Sequence, residues 1–327
     1  MNILAIGDVH IKVNNLPEAE ELILRLTKLA EERKPDLIIC LGDVLDRHST
    51  IHVQCLMLAE KMTEALSKIA PFFLIVGNHD RPNNSDFLTD RHPFNAMKKW
   101  DNVYIIDSTF KYNYKDFNIV LVPYVPPGRF SEALNTVENI FENTSAIFAH
   151  QEIYGAKMGA IISQDGDKWP EENPILISGH IHNYDQLQKN MIYTGSVIQH
   201  SFGDNGDKTV SMFTFTKNNW EQERISLGMT KKVIIYITPD QVLNYKVPKD
   251  KIVKLVVRGE ESAIKTVIKL DKIQELKKEG VKVVFKTIHN VEVAKETQPK
   301  MSYRDRLYNE LGRDLNSLSW FKKIFEN

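Results

Sequence analysis

Short clusters of metal-binding residue types recur along this chain, each directly after an apolar stretch. Seven side chains make up the set: Asp8, His10, Asp43, Asn78, His150, His180 and His182. Carboxylate and amide oxygens together with neutral imidazoles suit a pair of Mn²⁺-, Fe- or Zn-class ions. Two ions held side by side activate water and clamp a phosphate during in-line displacement. The residue types therefore predict hydrolysis of a phosphoester.

The spacing within the clusters indicates how two ions could share these ligands. Two ions ~3.5–4 Å apart need a bridging carboxylate. Asp43 is the natural bridge, because it lies between an apolar run and a helical pattern. Asp8 and His10 are two residues apart at a predicted strand end, so both can face one ion. His180 and His182 share that spacing, but their imidazoles could equally reach different ions.

Each cluster taken alone also has a plain structural interpretation. A single Asp or His after a strand is about as often an ordinary turn or helix-cap residue as a metal ligand. The same strand-end context recurs in all five clusters, however, and this repetition favours a metal site. Four glycines precede the ligands or share their turns, where the backbone must approach closely or take positive φ. They are Gly7, Gly42, Gly77 and Gly179.

The remaining histidines are interpreted differently. His79 follows Asn78 directly, and an imidazole there could stabilise charge on the phosphate or assist the leaving oxygen. The alternative for His79 is a packing histidine in a turn. Five others lack the strand-end context, and we expect them at the surface or behind the ligands: His48, His52, His92, His200 and His289.

The order and spacing of these motifs resemble those of the calcineurin-like metallophosphoesterase superfamily, over roughly residues 1–215. The matching segments are GDVH, GDVLD, GNHD, a single histidine and GHIH. The resemblance implies an α/β fold of two mixed sheets packed face to face and flanked by helices. It also implies two divalent ions, with Mn²⁺ expected. One would take Asp8, His10, Asp43 and His182; the other would take Asp43, Asn78, His150 and His180; and His79 would be the catalytic histidine.

Within that superfamily the chain is most similar to SbcD-type DNA-repair nucleases and their phage and eukaryotic relatives. Segments 7–12, 41–47 and 193–204 (YTGSVIQHSFGD) carry this narrower resemblance, together with about 100 residues after the core. Many relatives have a histidine three residues after the bridging aspartate, where this chain has Asp46. We expect Asp46 to orient His10 or His79 from behind the metal ligands.

The narrower resemblance implies a DNA nuclease of recombination and repair, with exonuclease activity on double-stranded ends and endonuclease activity on single strands. It implies a homodimer whose activity is gated by an SbcC-type coiled-coil ATPase. The alternative is a metallophosphoesterase that acts on nucleotides or phosphoproteins. A scaffold without catalysis is a third possibility, which the intact ligand set and His79 oppose.

The chain divides into three predicted units. Residues 1–228 form the nuclease domain, 229–290 a small α+β capping domain, and 291–327 a linker and helical ATPase-binding tail. Leu307, Leu311 and Leu315 form an apolar stripe in the tail, and packing against its own domain is the alternative to docking on a partner.

Apolar patterns predict the elements of these units. Helices are expected at 16–32, 51–69 and 261–279. Strands are expected at 3–6, 37–41, 72–76, 103–106, 119–123, 146–149, 175–178, 191–194 and 210–216, then at 232–238, 252–257 and 281–286.

Composition bounds the class of protein. The hydrophobic fraction of 42% and the charged fraction of 26% are those of an ordinary globular protein. No apolar run approaches the ~20 residues that a membrane helix requires, and the N-terminus lacks the pattern of a secretory signal. Cys40 and Cys55 do not make a disulfide framework, so we expect buried thiols in a reducing cytoplasmic or other intracellular compartment.

The net charge of −1 conceals an asymmetry. Residues 226–327 hold 21 Lys and Arg against 13 Asp and Glu, whereas residues 1–225 hold 21 against 30. A basic unit beside an acidic metal core suits contact with a DNA backbone, because neutralising phosphates supplies most non-specific affinity. The alternative is a lysine-rich helix face that is simply solvated.

Overall fold

The structure is a computed structural model that describes residues 1–159, 161–217 and 219–288. Its helices are α1 (Leu16–Arg33), α2 (Val53–Ser67), α3 (Phe130–Leu134), α4 (Glu261–Val267) and α5 (Asp271–Lys278), with short 3₁₀ turns at Val13–Asn15, Pro93–Lys99 and Pro239–Gln241. The strands are β1 (Asn2–Ile6), β2 (Leu37–Cys40), β3 (Phe72–Ile75), β4 (Val103–Ile106), β5 (Phe110–Tyr114), β6 (Phe117–Val122), β7 (Thr144–Ala149), β8 (Lys157–Met158), β9 (Ile161–Ile162), β10 (Ile175–Ser178), β11 (Asp185–Gln188), β12 (Met191–Tyr193), β13 (Val210–Phe215), β14 (Trp220–Ile225), β15 (Lys231–Ile237), β16 (Lys251–Gly259) and β17 (Lys282–Thr287).

Two six-stranded mixed sheets form the main body. The first has the order β14-β13-β1-β2-β3-β4, and the second has the order β11-β12-β10-β7-β6-β5. Strands β1 to β4 run parallel in the first sheet, as do β12, β10, β7 and β6 in the second. These parallel strands are short and mostly apolar because both faces of each sheet are covered.

The two sheets pack face to face over a shared apolar layer. Ile39 and Phe73 of the first sheet belong to this layer, as do Leu121 and Phe148 of the second. Helices α1 and α2 cover the outer face of the first sheet. The outer face of the second packs against α3 and the segment that carries Trp169. The α/β fold of two face-to-face sheets flanked by helices is therefore confirmed.

A third unit follows the two sheets and has its own apolar core. Strands β15, β16 and β17 form a parallel sheet, on which α4 and α5 pack through Ile264, Ile273 and Leu276. The unit contacts the main body at its first strand. Lys232 donates to Glu18 at 2.7 Å, and both side chains are largely buried. The role of this unit as a DNA-orienting cap stays a prediction.

The predicted helix at 261–279 is wrong in one respect. It is divided at Ile268–Leu270, where turn hydrogen bonds, including Lys269 N–H to Thr266 O at 3.2 Å, replace the helical ladder. The break lets Val267 and Ile273 both reach the core of the unit. Sequence patterns also missed the more exposed strands β5, β11 and β14, whose apolar residues are few. His289 and the predicted tail at 291–327 lie outside the described residues.

None of the helices in the described ranges combines the length and the apolar character needed to cross a membrane.

Candidate metal centre

The predicted ligands meet at one edge of the two-sheet body. Asn78 follows β3 by three residues, His150 follows β7 directly, and His180 follows β10 by two. The carboxyl ends of parallel strands share one edge of a sheet, and the facing sheets bring their two edges together. Loops at this edge therefore carry side chains from both sheets to one place.

Three of these side chains form a compact group that we call the inner cluster: Asn78, His150 and His180. The Asn78 Oδ1 atom lies 3.0 Å from His150 Nε2 and 3.0 Å from His180 Nδ1, and these two nitrogens are 3.3 Å apart. His150 Nδ1 lies 2.7 Å from the carbonyl oxygen of Leu41, which accepts its proton. This bond leaves Nε2 as the ligand atom, because a carbonyl partner determines the tautomer of a metal-binding imidazole.

A second group, the outer cluster, consists of His10, His182 and His200. The Nε2 atoms of His10 and His182 are 3.1 Å apart. The His200 ring lies 4.6 Å from the His10 ring and 4.8 Å from the His182 ring, measured between centroids. One ring nitrogen of each residue lies within 4.8 Å of one in each of the others.

Asp43 stands between the two clusters. Its Oδ2 atom lies 3.2 Å from His150 Nε2 and 3.6 Å from His10 Nε2, so one carboxylate oxygen faces both groups. Its Oδ1 accepts the backbone N–H of His79 at 2.8 Å. The arrangement is what a carboxylate shared by two ions requires.

Asp8 is held in place by the loop that carries His180. The backbone N–H of His180 donates to its Oδ1 at 3.0 Å. Its Oδ2 is buried and has no hydrogen-bond partner among the described residues. A buried carboxylate oxygen without a partner is costly unless a cation satisfies it. The donor set, with converging imidazole nitrogens and this free oxygen, therefore fits divalent metal ions.

Backbone strain is concentrated at the site. His10, Asp43 and His180 take left-handed conformations, with φ values of 47°, 49° and 81°. Such conformations cost free energy in residues other than glycine, and surrounding contacts must hold them. Two glycines make room for these turns. A Cβ on Gly77 would lie 2.2 Å from Asp43 Oδ1, and one on Gly42, at φ +107°, would lie 2.5 Å from His150 Nδ1.

Asp46 contacts both residues that the sequence suggested for it. Its Oδ1 lies 3.5 Å from His10 Nδ1, and its backbone carbonyl accepts the proton of His79 Nδ1 at 2.8 Å. His79 is half-buried and stacks on His48 with ring centroids 4.5 Å apart. The bond to Asp46 directs the Nδ1 proton of His79 to the backbone and leaves Nε2 for other chemistry.

Sequence reasoning missed Asp80 as a residue that supports the site. Its buried carboxylate accepts three backbone N–H groups, from Val44 at 3.3 Å, Leu45 at 2.9 Å and Gly77 at 3.1 Å. These bonds join the loop after β2 to the loop after β3, and so hold Asp43 and Asn78 in register. The GNHD motif placed Asp80 near the ligands, but only the structure shows what it binds.

His200 and Lys208 were also missed. His200 was expected at the surface or behind the ligands, yet its ring nitrogens are buried against the rings of His10 and His182. Lys208 is half-buried and donates to the carbonyl oxygen of His182 at 2.6 Å. His200 belongs to the YTGSVIQHSFGD segment, which was the one available signal. His48 lies behind His79, while His52 is exposed and His92 pairs with Asp107 away from the clusters.

Charges in the metal-free site divide the imidazoles into two kinds. Burial disfavours a charged His150, but the adjacent Asp43 carboxylate outweighs it and raises the pKa of His150 to about 9. The same ion pair, against the effect of burial, holds the pKa of Asp43 well below its usual range. Burial and the nearby His150 lower the pKa of His180 to about 4.

The outer side of the site shows related shifts. Burial, followed by the nearby His10, lowers the pKa of His200 well below its usual range. Burial likewise lowers the pKa of His79. The nearby His10 ring, whose Nδ1 is 3.5 Å away, lowers the pKa of Asp46 to about 2 despite partial burial. His79 and His200 are therefore neutral near pH 7, and Asp46 is charged.

Comparison with known proteins places this geometry in a family. The family described as calcineurin-like phosphoesterase matches residues 1–221. "Putative phosphoesterase 244L" of Invertebrate iridescent virus 6 is 42% identical over 80% of this chain and 95% of its own length. "Putative phosphoesterase 078R" of Invertebrate iridescent virus 3 is 38% identical over 90% of this chain and 86% of its own length. Neither name refers to SbcD-type nucleases.

A solved structure of GAP50, the anchor in the inner membrane complex of Plasmodium, also matches. It is 14% identical over 69% of this chain and 84% of its own, with a TM-score of 0.46, which is too low to support a functional argument. The family assignment rests on the sequence match, which covers the two-sheet body except most of β14 and includes every predicted ligand. The chain belongs to the calcineurin-like phosphoesterase family.

Proposed function

We propose that this chain hydrolyses phosphodiesters with two divalent ions, that its ligands divide as the sequence predicted, and that DNA is its substrate. One observation carries the two-ion part. The Oδ2 atom of Asp43 lies 3.2 Å from His150 Nε2 and 3.6 Å from His10 Nε2, with a separate imidazole cluster on each side. Asn78 and His180 complete one side, whereas His182 and Asp8 complete the other.

The side chains have separate tasks in this proposal. When bound, the ions supply a nucleophilic water and charge stabilisation for the phosphate, and Mn²⁺ is the ion that we expect. His79 donates its Nδ1 proton to the Asp46 carbonyl, so Nε2 exchanges protons with substrate. Burial lowers the pKa of His79, which makes its protonated form a stronger acid. Because His79 is neutral near pH 7, its Nε2 takes up a proton from solvent before it delivers one to the leaving oxygen.

The proposal that DNA is the substrate rests on the positive charge near the metal centre and on the sequence of segment 193–204. Lys12 and Lys208 lie beside the metal centre, where Lys12 pairs with Asp46 at 3.2 Å and Lys208 bonds to the loop of His182. The following unit is basic. Segment 193–204, which resembles the corresponding segment of SbcD-type nucleases, contributes His200 to the outer cluster. Clustered cations suit a polyanionic backbone.

A phosphoesterase that acts on nucleotides or phosphoproteins is the second candidate. The family description and the names of the two viral relatives mention phosphoesterase activity and no nuclease. They therefore agree better with this broader activity than with DNA cleavage. Exonuclease and endonuclease activity on DNA are part of our proposal and are not mentioned in these names.

The test uses two kinds of substrate in parallel, DNA and a small phosphodiester. End-labelled duplex DNA, end-labelled single-stranded DNA and bis-p-nitrophenyl phosphate are each incubated with Mn²⁺ and protein. The proteins are the wild type, Asp43→Asn, His79→Ala and, as a control at an exposed residue, His52→Ala. We expect both kinds of substrate to be cleaved by the wild type and the control, and by neither site variant. Hydrolysis of the small diester without DNA cleavage would contradict the nuclease and favour the second candidate. No hydrolysis of either would contradict the two-metal phosphoesterase.

An ATPase partner and a homodimer remain proposals that derive from the SbcD resemblance. The tail that would bind the coiled coil of an SbcC-type ATPase lies outside the described residues. Removing residues 301–327 should abolish co-purification with such a partner and leave diester hydrolysis unchanged. Sedimentation at several concentrations tests the homodimer, and a single monomeric species throughout would contradict it.

A further inference from the structure

The outer cluster contains one imidazole more than the predicted ligand set uses. His10 and His182 both belong to that set, whereas His200 does not. Its ring lies 4.6 Å from that of His10 and 4.8 Å from that of His182, closer to each than those two rings are to one another, at 4.9 Å. The third imidazole is thus an equal member of the cluster rather than a neighbour of it.

Both ring nitrogens of His200 are buried, and within the described part of the chain neither has a hydrogen-bond partner. Buried side-chain nitrogens are almost always paired, and an exception asks for an explanation such as an ion. Bulk water cannot be the partner, because neither nitrogen is accessible to it. Asp8 Oδ2, another atom of the metal centre, is also buried without a partner.

The backbone around His200 is held in place from both directions. Its own N–H donates to Asp204 Oδ2 at 2.7 Å. Before it, the Gln199 side chain bonds to the carbonyl oxygens of Asp204 at 3.0 Å and Lys232 at 3.1 Å. Earlier in the segment, the Ser196 N–H donates to the His182 carbonyl at 3.1 Å. The backbone position of His200, although not the rotation of its ring, is therefore set by several hydrogen bonds.

The distances fit coordination of one ion. Two imidazole nitrogens bound to the same ion at ~2.1 Å can be at most ~4.2 Å apart. The Nε2 atoms of His10 and His182, at 3.1 Å, meet this limit. One ring nitrogen of each of the three residues lies within 4.8 Å of one in each of the others. A rotation of the His200 ring that moves its nitrogen by about half an ångström therefore brings it within the limit as well.

We propose that His200 is a further ligand of the ion held by His10 and His182. This inference rests on the two-metal function proposed above. The outer ion then has three imidazoles, whereas the inner ion has two imidazoles and the Asn78 amide oxygen. Nitrogen-rich sites favour Fe, Co and Zn over Mn. The two positions should consequently differ in metal preference, with the outer one taking the more nitrogen-seeking ion.

Cobalt is the probe, because its visible absorption reports the ligands directly. Metal-free wild type is titrated with Co²⁺, beside His200→Cys, His200→Phe and the buried-histidine control His92→Gln. We expect two Co²⁺ per chain for the wild type and the control. His200→Phe should weaken one of the two binding events at least about tenfold. His200→Cys should gain a thiolate-to-cobalt charge-transfer band, for which the wild type, with Cys40 and Cys55, is the baseline.

The outcomes separate this inference from the proposed function. Two Co²⁺ in every variant, with wild-type affinities and no new band in His200→Cys, would overturn the ligand role of His200 and leave the two-metal function standing. Fewer than two Co²⁺ in the wild type would overturn both. Thermal unfolding of the metal-free proteins checks folding, and if His200→Phe does not fold, the presence or absence of the band in His200→Cys decides alone.

Discussion

The inner and outer clusters use the same residue types but are built differently. The inner ligands follow their strands by one to three residues, whereas His10 and His182 follow theirs by four and His200 by seven. Asn78, His150 and His180 contact one another at 3.0–3.3 Å, and the Leu41 carbonyl anchors His150. The outer rings meet edge to face at 4.6–4.9 Å.

The difference shows that one site can draw its ligands both from strand ends and from longer loops. Strand ends within the sheet edge hold the inner ligands with little freedom, because the ladder determines where each strand stops. The outer ligands lie on longer loops, four to seven residues past their strands, and contact one another ring to ring. Asp43 lies between the inner and outer clusters, so substitutions that alter Asp43 or one of the clusters test this comparison most strongly.

Removing the charge of Asp43 should have the largest effect, since it breaks both clusters at once. Asp43→Asn should lower kcat/KM by about 10⁴-fold, because lost metal stabilisation of several kcal/mol converts at about 1.36 kcal/mol per decade. Bis-p-nitrophenyl phosphate hydrolysis and metal content by mass spectrometry measure this. A variant with full metal content and near wild-type activity would show that Asp43 is not shared.

His79→Ala should separate catalysis from metal binding. We expect kcat to fall by about 10²–10³-fold, the range of a lost proton-transfer group. Metal content should be unchanged, because the predicted ligands hold both ions without His79, although one of its ring nitrogens lies within 4.8 Å of ligand atoms of His10 and Asp43. His48→Ala, which removes only the ring stacked on His79, is the matched comparison and should cost less. Loss of bound metal in His79→Ala would place this residue among the ligands instead.

The inner cluster should bind its ion more tightly as pH rises. Without metal, His150 is protonated below its pKa of about 9, and an ion needs the unprotonated nitrogen. Affinity should therefore increase about tenfold per pH unit up to about pH 9 and then level off, with one proton released per ion. Calorimetry in buffers of different ionisation enthalpy measures the proton. Affinity that is independent of pH between 6 and 8 would contradict the His150–Asp43 ion pair.

The smallest effect expected is on stability, at the turn that supports both clusters. Asp80→Asn leaves one side-chain oxygen for three backbone N–H groups, so the free energy of unfolding should fall by about 1–3 kcal/mol. Denaturant unfolding of the metal-free protein measures it. The exposed Asp90→Asn provides the control. Equal stability of the two variants would show that these hydrogen bonds are dispensable.

The sequence by itself determined the parts of this protein that have a local physical cause. Apolar runs predicted the buried strands of both sheets, since each must be covered on two faces. Motifs at the strand ends predicted which seven side chains meet, and the order of those motifs indicated the family. Strands β5 and β14 were missed because their residues are exposed or only partly buried, so their apolar pattern is weak.

Only the tertiary structure decided the relations between distant loops. It placed His180 with Asn78 and His182 with His10, where the spacing alone allowed either arrangement. It gave Asp46 contacts to both His10 and His79, and it brought His200 from a loop seven residues past β12 into contact with His10. Such contacts join residues as many as 190 positions apart, and no local propensity encodes them. They arise because two facing sheets bring the ends of separate strands to one edge.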